Sequence, residues 1–143
     1  MKVSSILDGK RVETIKPTAT IKELVEKLAA MKIGALVVSS DGKSIEGIVS
    51  ERDIVQSMPK NIENFQNLHV RDIMTVNVMT CTKDATFAEL MVLMTQKRIR
   101  HVPIVDPSGS LVSIVSIGDV VKNHISEIDG ERNALIDYVK SSG

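Results

Sequence analysis

Sliding the sequence by 66 residues lays 14–55 over 80–121 without a gap, and twelve of the 42 paired positions are identical. Among them are Thr20/Thr86, Glu23/Glu89, Leu24/Leu90, Ile48/Ile114, Ser50/Ser116 and Asp53/Asp119. Many other pairs exchange one apolar residue for another, as in Val38/Ile104 and Ile45/Leu111. A repeat of this kind requires two units of the same fold. With only two copies, the economical arrangement is a pseudo-twofold pair and not an extended solenoid.

Each unit reads as strand, helix, strand, strand, helix. Thr20-x-x-Glu23 and Thr86-x-x-Glu89 have the form of capping boxes, in which hydroxyl and carboxylate satisfy orphan N–H groups at a helix start. Helical apolar spacing follows at Leu24, Val25, Leu28 and Met31, and again at Leu90, Leu93 and Met94. Buried-strand runs come next, Ala35 to Val38 and His101 to Val105. After turn chemistry at Asp41-Gly42 and at 106–109, the runs Ile45 to Val49 and Leu111 to Val115 lead into second helices. Neither unit can cover both faces of so few strands alone, so the two sheets are expected to pack together. The predicted class is α/β, two tandem β-α-β-β-α repeats about a pseudo-twofold axis. We draw the first repeat over 8–65, the second over 74–130 and a helical tail over 131–143. Residues 58–73, with Pro59 and three Asn, read as a polar spacer, and 127–140 as a further helix. That helix either packs on its own module or forms a dimer contact.

Composition removes several function classes. Lys+Arg and Asp+Glu both number 18, so the basic excess usual in a nucleic-acid binder is missing. Phe65, Phe87 and Tyr138 are the only aromatics, a poor stacking platform for single strands. No apolar run approaches the roughly 20 residues of a membrane helix. The first eleven residues have no apolar core of a signal peptide. Cys81 is the single cysteine, which excludes an internal disulfide and fits a reducing, cytoplasmic setting. It has no base specified beside it to make it a nucleophile. His69, His101 and His124 lack metal-ligand spacing, and no phosphate-binding Gly-rich loop of the dinucleotide or P-loop type is present. No catalytic residue, metal site or required cofactor is expected.

The residues that could hold a ligand are those closing each unit, Ser50-x-x-Asp53 and Ser116-x-x-Asp119. Two readings coincide here. Ser and Asp three apart after a strand can cap the following helix. The same helix start offers unpaired N–H groups to a phosphate, and an Asp can accept from two vicinal ribose hydroxyls. The repeat with its G-I-V-S-E-R-D and S-I-V-S-I-G-D endings resembles the CBS domain, which occurs in tandem as a Bateman module. Lys97 to Val105 resembles the second-repeat strand of that family, and Asp72-Ile73-Met74-Thr75 its usual entry into a second motif. The resemblance covers about residues 6–126 and extends to small stand-alone bacterial two-CBS proteins. It implies a regulatory module that binds an adenine nucleotide without catalysis, AMP first, then ATP, ADP or NAD(H). It implies that the Ser and Asp hold phosphate or ribose, and that backbone at Thr14, Ile15 and Lys16, and at Thr80, Cys81 and Thr82, reads the adenine edge. It also implies a disk-like homodimer.

With so few aromatics, a purine would lie between aliphatic side chains such as Ile15, Ile48 and Ile114. The repeats also differ in charge: Arg52 is matched by Gly118, and Arg100-His101 by Gly34-Ala35. Pseudo-twofold packing can carry Arg52, Arg100 and His101 to one cleft, where forked guanidinium donors suit phosphate. Ala35, Pro103 and Gly118 complete the candidate lining, and Arg98 reads as a solvated charge. The competing readings are a ligand-free dimerisation or docking module and, with less support, a nucleotide-processing enzyme. The sequence names no downstream partner.

Overall fold

The computed structural model describes residues 1–7, 9 and 12–142, the last by its backbone. The expected repeat start at Asp8 and the final residue Gly143 lie outside the described residues. The first repeat comprises β1 (Thr14–Ile15), α1 (Ile21–Met31), β2 (Ala35–Val38), β3 (Gly47–Ser50) and α2 (Glu51–Asn61). A short helix α3 (Val70–Ile73) precedes the second repeat, which holds α4 (Phe87–Lys97), β4 (His101–Val105), β5 (Leu111–Ser116) and α5 (Ile117–Ser142). β1 runs parallel to β2, and β2 pairs antiparallel with β3, giving the order β1-β2-β3. β4 and β5 form an antiparallel pair. The expected first strand of the second repeat is reduced to one parallel bridge between Cys81 and Ile104. Two hydrogen bonds hold it, Cys81 N to Pro103 O at 3.1 Å and Val105 N to Cys81 O at 2.9 Å.

Helix starts follow the sequence. Thr20 Oγ1 accepts from Glu23 N, and Thr86 Oγ1 from Glu89 N, both at 3.1 Å. Of these two glutamates, Glu89 also returns its carboxylate to the N–H of its cap, Thr86, at 3.5 Å. Both helices end on left-handed residues at equivalent positions, Lys32 and Arg98.

Two apolar cores form, one per repeat, and each is completed by a segment from outside its own repeat. Val70 is fully buried in the first core, with Phe65, Leu68, Ile73 and Met74 packed around it. Val3 is fully buried in the second core, beside Ile6 and Leu7. The backbone contacts match: Val70 N donates to Ala19 O at 2.9 Å, and Val3 N to Ala85 O at 2.8 Å. The chain's first residues therefore serve the second repeat, and the connector serves the first. Residues 58–73 are accordingly more than a polar spacer. α2 also runs through Pro59, whose missing N–H would have met the carbonyl of Val55, an exposed residue that water can serve.

Thr75 extends this docking by pairing with Ile48, N to O at 2.9 Å in both directions. The close approach depends on Gly47. A Cβ there would sit 2.8 Å from Thr75 O and 2.9 Å from Met74 Sδ. Gly47→Ala is expected to cost about 1–3 kcal/mol, the usual range for overpacking, read as a lowered midpoint in urea with an unchanged slope.

α5 corrects the reading of a separate tail helix. It continues without a break from Ile117 to Ser142, and residues 128–141 are all exposed, so that segment does not pack on its own module. No helix among the described residues is long and apolar enough to cross a membrane.

Candidate functional site

Strand alternation decides which side chains face the space between the repeats. In β3, Val49 enters the first core, so Ile48 and Ser50 point to the other face. In β5, Val115 enters the second core, which turns Ile114 and Ser116 the same way. In β2, Leu36 and Val38 belong to the core, leaving Ala35 and Val37 on the opposite side. In β4, Val102 and Ile104 do the same and leave His101 and Pro103. Val37, on that opposite side of β2, is fully buried yet belongs to neither core. Ala35, Ile48 and Ser50 thus share the non-core face of the first sheet, and His101, Pro103, Ile114 and Ser116 that of the second.

Ile15 does not join them. It pairs with Val38 on the core face and is 6% exposed, which corrects its expected place as an aliphatic wall. Thr14 pairs with Val37, at the far end of β2 from Ala35 and its partner Ser50. Thr14, Ile15 and Lys16 line a separate cleft of about 620 Å³ with Lys27 and the turn 39–42. Register therefore separates the first-strand candidates from the Ser50–Asp53 end. In the second repeat Thr80 and Thr82 are exposed, with Cys81 half-buried between them.

Both Ser-x-x-Asp pairs act as caps. Asp53 Oδ2 accepts from Ser50 N at 2.8 Å and from Ser50 Oγ at 3.0 Å. Asp119 Oδ2 accepts from Ser116 N at 3.3 Å and Ser116 Oγ at 2.9 Å. The return bonds, Asp53 N to Ser50 Oγ at 3.4 Å and Asp119 N to Ser116 Oγ at 3.2 Å, complete the boxes. In each carboxylate one oxygen does all the capping, and Oδ1 accepts nothing among the described residues. Asp53 also borders a smaller open cleft of about 270 Å³ with Lys60 and Asp72. Gly118 leaves the second helix start open, since a Cβ there would meet only Ser116 Oγ, at 3.7 Å.

One cation reaches across the repeat boundary. Arg52 Nη1 reaches from α2 to the carbonyl of Arg98 at 3.4 Å, next to the strand that begins with Arg100-His101. Arg98 itself is exposed, as is Arg100. His101 lies against Gly34: a Cβ on that glycine would be 3.4 Å from His101 Cε1 and 3.7 Å from Glu51 Oε2. The small residue of one repeat thus makes room for the imidazole of the other. Burial pushes the His101 pKa below its ordinary 6.5; Arg100 pushes it the same way, while Glu51 and Asp119 oppose. Glu51 is the neighbour sequence reasoning missed. Its counterpart, Ile117, is apolar, an asymmetry of the same kind as Arg52/Gly118.

A family model described as the CBS domain matches residues 3–60 and 70–125. The chain belongs to the CBS-domain family. Its two matches fall on the two repeats, with Val3 and Val70 inside them. This CBS pair is similar to a solved CBS-domain protein, ATU1752 of Agrobacterium tumefaciens: 39% identity, TM-score 0.81, covering 87% of this chain and 99% of that one. It is also similar to PAE2072 of Pyrobaculum aerophilum, solved in complex with AMP: 26% identity, TM-score 0.72, covering 83% and 89%. A third solved pair, from the protein MJ0100, was obtained with 5′-methylthioadenosine and S-adenosylmethionine: 25% identity, TM-score 0.75, covering 87% and 99%. Among curated relatives, the mitochondrial CBSX3 of Arabidopsis thaliana is 33% identical over 125 residues, 85% of this CBS pair and 60% of that protein. The pair spans 57% of the length of a Methanopyrus kandleri relative.

Proposed function

We propose that this CBS pair is a non-catalytic regulatory module that binds an adenine nucleotide between its repeats, AMP in the first place, then ATP, ADP or NAD(H). The observation that carries the reading is the Oδ1 of Asp53 and of Asp119, to which no described residue donates. Each stands at a helix start beside an aliphatic residue of the inter-repeat face, Ile48 or Ile114. That combination suits an adenosine: apolar contact for the base, a carboxylate for vicinal hydroxyls, helix N–H groups and cations for phosphate. The ligands of the two neighbours named above share the adenosine group and support the same reading. The chemistry of Cys81 supports a non-enzymatic role. Burial, helped by Glu89, pushes its thiol up to about 11, so it is protonated and weakly nucleophilic at neutral pH. We place the module in the cytoplasm as a homodimer.

Titration calorimetry with AMP, ATP, NAD and adenosine tests the proposal. Binding of one or more with recovery of unchanged ligand is expected. No binding by any of them would leave the dimerisation or docking reading. Breakdown of the nucleotide would favour an enzyme.

His101 adds a pH dependence. It is neutral in the free fold at pH 7, and protonation adds a positive charge facing the phosphate. AMP affinity is expected to rise severalfold as pH falls from 7.5 to 5.5, and His101→Asn should flatten that rise. The unliganded fold should respond in the opposite sense. A histidine whose folded pKa is depressed binds its proton more readily when unfolded, so stability falls as pH drops below about 6.5. Melting scans with and without AMP across this range would show the two trends. Parallel trends in wild type and His101→Asn would remove His101 from the site.

A further inference from the structure

Glu51 is the first residue of α2, and its N–H donates to Gly34 O at 3.0 Å, which ties the helix start to the residue before β2. At Gly34 the glutamate of one repeat and the histidine of the other come together. A Cβ there would be 3.4 Å from His101 Cε1, 3.6 Å from His101 Nε2 and 3.7 Å from Glu51 Oε2. The Glu51 carboxylate is exposed and forms no ion pair among the described residues. Its neighbour Arg52 directs Nη1 to Arg98 O instead. Asp53 already completes the capping box of α2, and Glu51 takes no part in it. The equivalent residue at the start of α5 is Ile117, whose N–H makes the matching bond to Arg100 O at 2.8 Å. The backbone bond is thus repeated and the charge is not.

We propose that Glu51 is a specificity-determining residue of the nucleotide cleft: its charge selects against every phosphate beyond the first, so that the cleft takes a nucleoside monophosphate ahead of a di- or triphosphate. The inference rests on the nucleotide reading above and deepens it. The helix start that offers N–H groups to phosphate also carries this carboxylate, beside the imidazole that faces the same ligand. Coulomb's law sets the size of the effect. Two like charges roughly 7 Å apart repel enough in water to change an equilibrium constant about threefold, and more where a ligand excludes water. A phosphate monoester carries close to two negative charges at neutral pH, and each further phosphate of a chain adds about one. Glu51 therefore contributes about a threefold preference for AMP over ADP and about tenfold for AMP over ATP.

Calorimetry with adenosine, AMP, ADP and ATP, in buffer without divalent cations, tests this on wild type, Glu51→Gln and Glu51→Ile. Glu51 is exposed, so both variants should fold. Relative to AMP, both are expected to bind ADP about threefold and ATP about tenfold more tightly than wild type does, with adenosine affinity unchanged within about twofold. Glu26→Gln is the control. It removes the same charge from α1, which packs through Leu24 and Leu28 on the core face of the first sheet, away from Ile48 and Ser50. Its AMP-to-ATP ratio should match that of wild type. An unchanged ratio in both Glu51 variants, with adenosine and AMP still bound, would overturn the proposal and leave the nucleotide reading standing. A ratio that moves equally far in Glu26→Gln would also overturn it, because the net charge of the chain would then be the cause. All four ligands gaining alike would overturn it as well, since that is a change in the purine pocket. A wild type that binds none of the four would overturn the nucleotide reading and the proposal with it.

Discussion

Arg100→Ala is expected to remove most of the preference for AMP over adenosine at one site while leaving adenosine affinity within about threefold. A hydrogen bond from a charged donor is worth about 1.5–3 kcal/mol, so the loss in AMP affinity should be roughly 10- to 100-fold. The purine contacts remain because Arg100 is exposed at the mouth of β4 and belongs to neither core. Arg52→Ala should act on that same site, because the Arg52 guanidinium already reaches the carbonyl of Arg98, two residues from Arg100. Arg100→Lys should recover only part of the effect, since an ammonium cannot fork across two phosphate oxygens. The second site, with Gly118 where the first has Arg52, should bind adenosine and AMP almost alike. Calorimetry resolving two sites would show this as unequal stoichiometric steps for AMP and similar ones for adenosine. Two equal AMP sites, or an Arg100→Ala protein that still prefers AMP as strongly as wild type, would refute the charge asymmetry.

How far the site could be read from sequence follows from which contacts are local. Capping at Thr20, Ser50, Thr86 and Ser116 is written within three residues, and all four appear. Alternation in β3 and β5 is equally local, and it puts Ile48 on the face of Ser50 and Ile114 on that of Ser116. The reach of Arg52 to the Arg98 carbonyl is not local; the duplication pointed to Arg52, Arg100 and His101 sharing a cleft and gave no sign of that backbone contact. What stayed hidden has no periodic signature. Val3 and Val70 exchange between repeats, yet their spacing is one residue longer than the repeat, so a gapless slide misses them. Ile15 resembles Ile48 in composition, and only the pairing with Val38 sends it to the core. The opening strand expected in each unit is present in the first as the two-residue β1, and in the second it shrinks to the single bridge at Cys81. The helix read over 127–140 is the second half of α5, which runs unbroken from Ile117 to Ser142; Gly130 inside it costs only about 1 kcal/mol.

Asp53 and Asp119 carry the second large expected effect, and two substitutions separate the observed cap from the proposed ribose contact. Alanine at either position removes both the cap and the ribose acceptor. The lost cap should cost about 0.5–2 kcal/mol of stability, and the lost acceptor should weaken nucleotide binding at least 10-fold. Asparagine separates them. Its carbonyl oxygen can take over the bonds from Ser50 N and Oγ, or from Ser116 N and Oγ, so most of the cap survives. The position of Oδ1 then holds an amide nitrogen, which cannot accept from either ribose hydroxyl. Asp53→Asn and Asp119→Asn are therefore expected to melt within a few degrees of wild type yet bind AMP and adenosine about 10-fold more weakly, each at one site only. Because the ribose is common to AMP and adenosine, both ligands should lose equally, unlike the Arg100→Ala case. Calorimetry on the two variants, with melting curves recorded alongside, reads both quantities. If the asparagine variants bind as wild type while the alanine variants melt early, the carboxylates are caps alone, and ribose recognition must be sought elsewhere on the inter-repeat face.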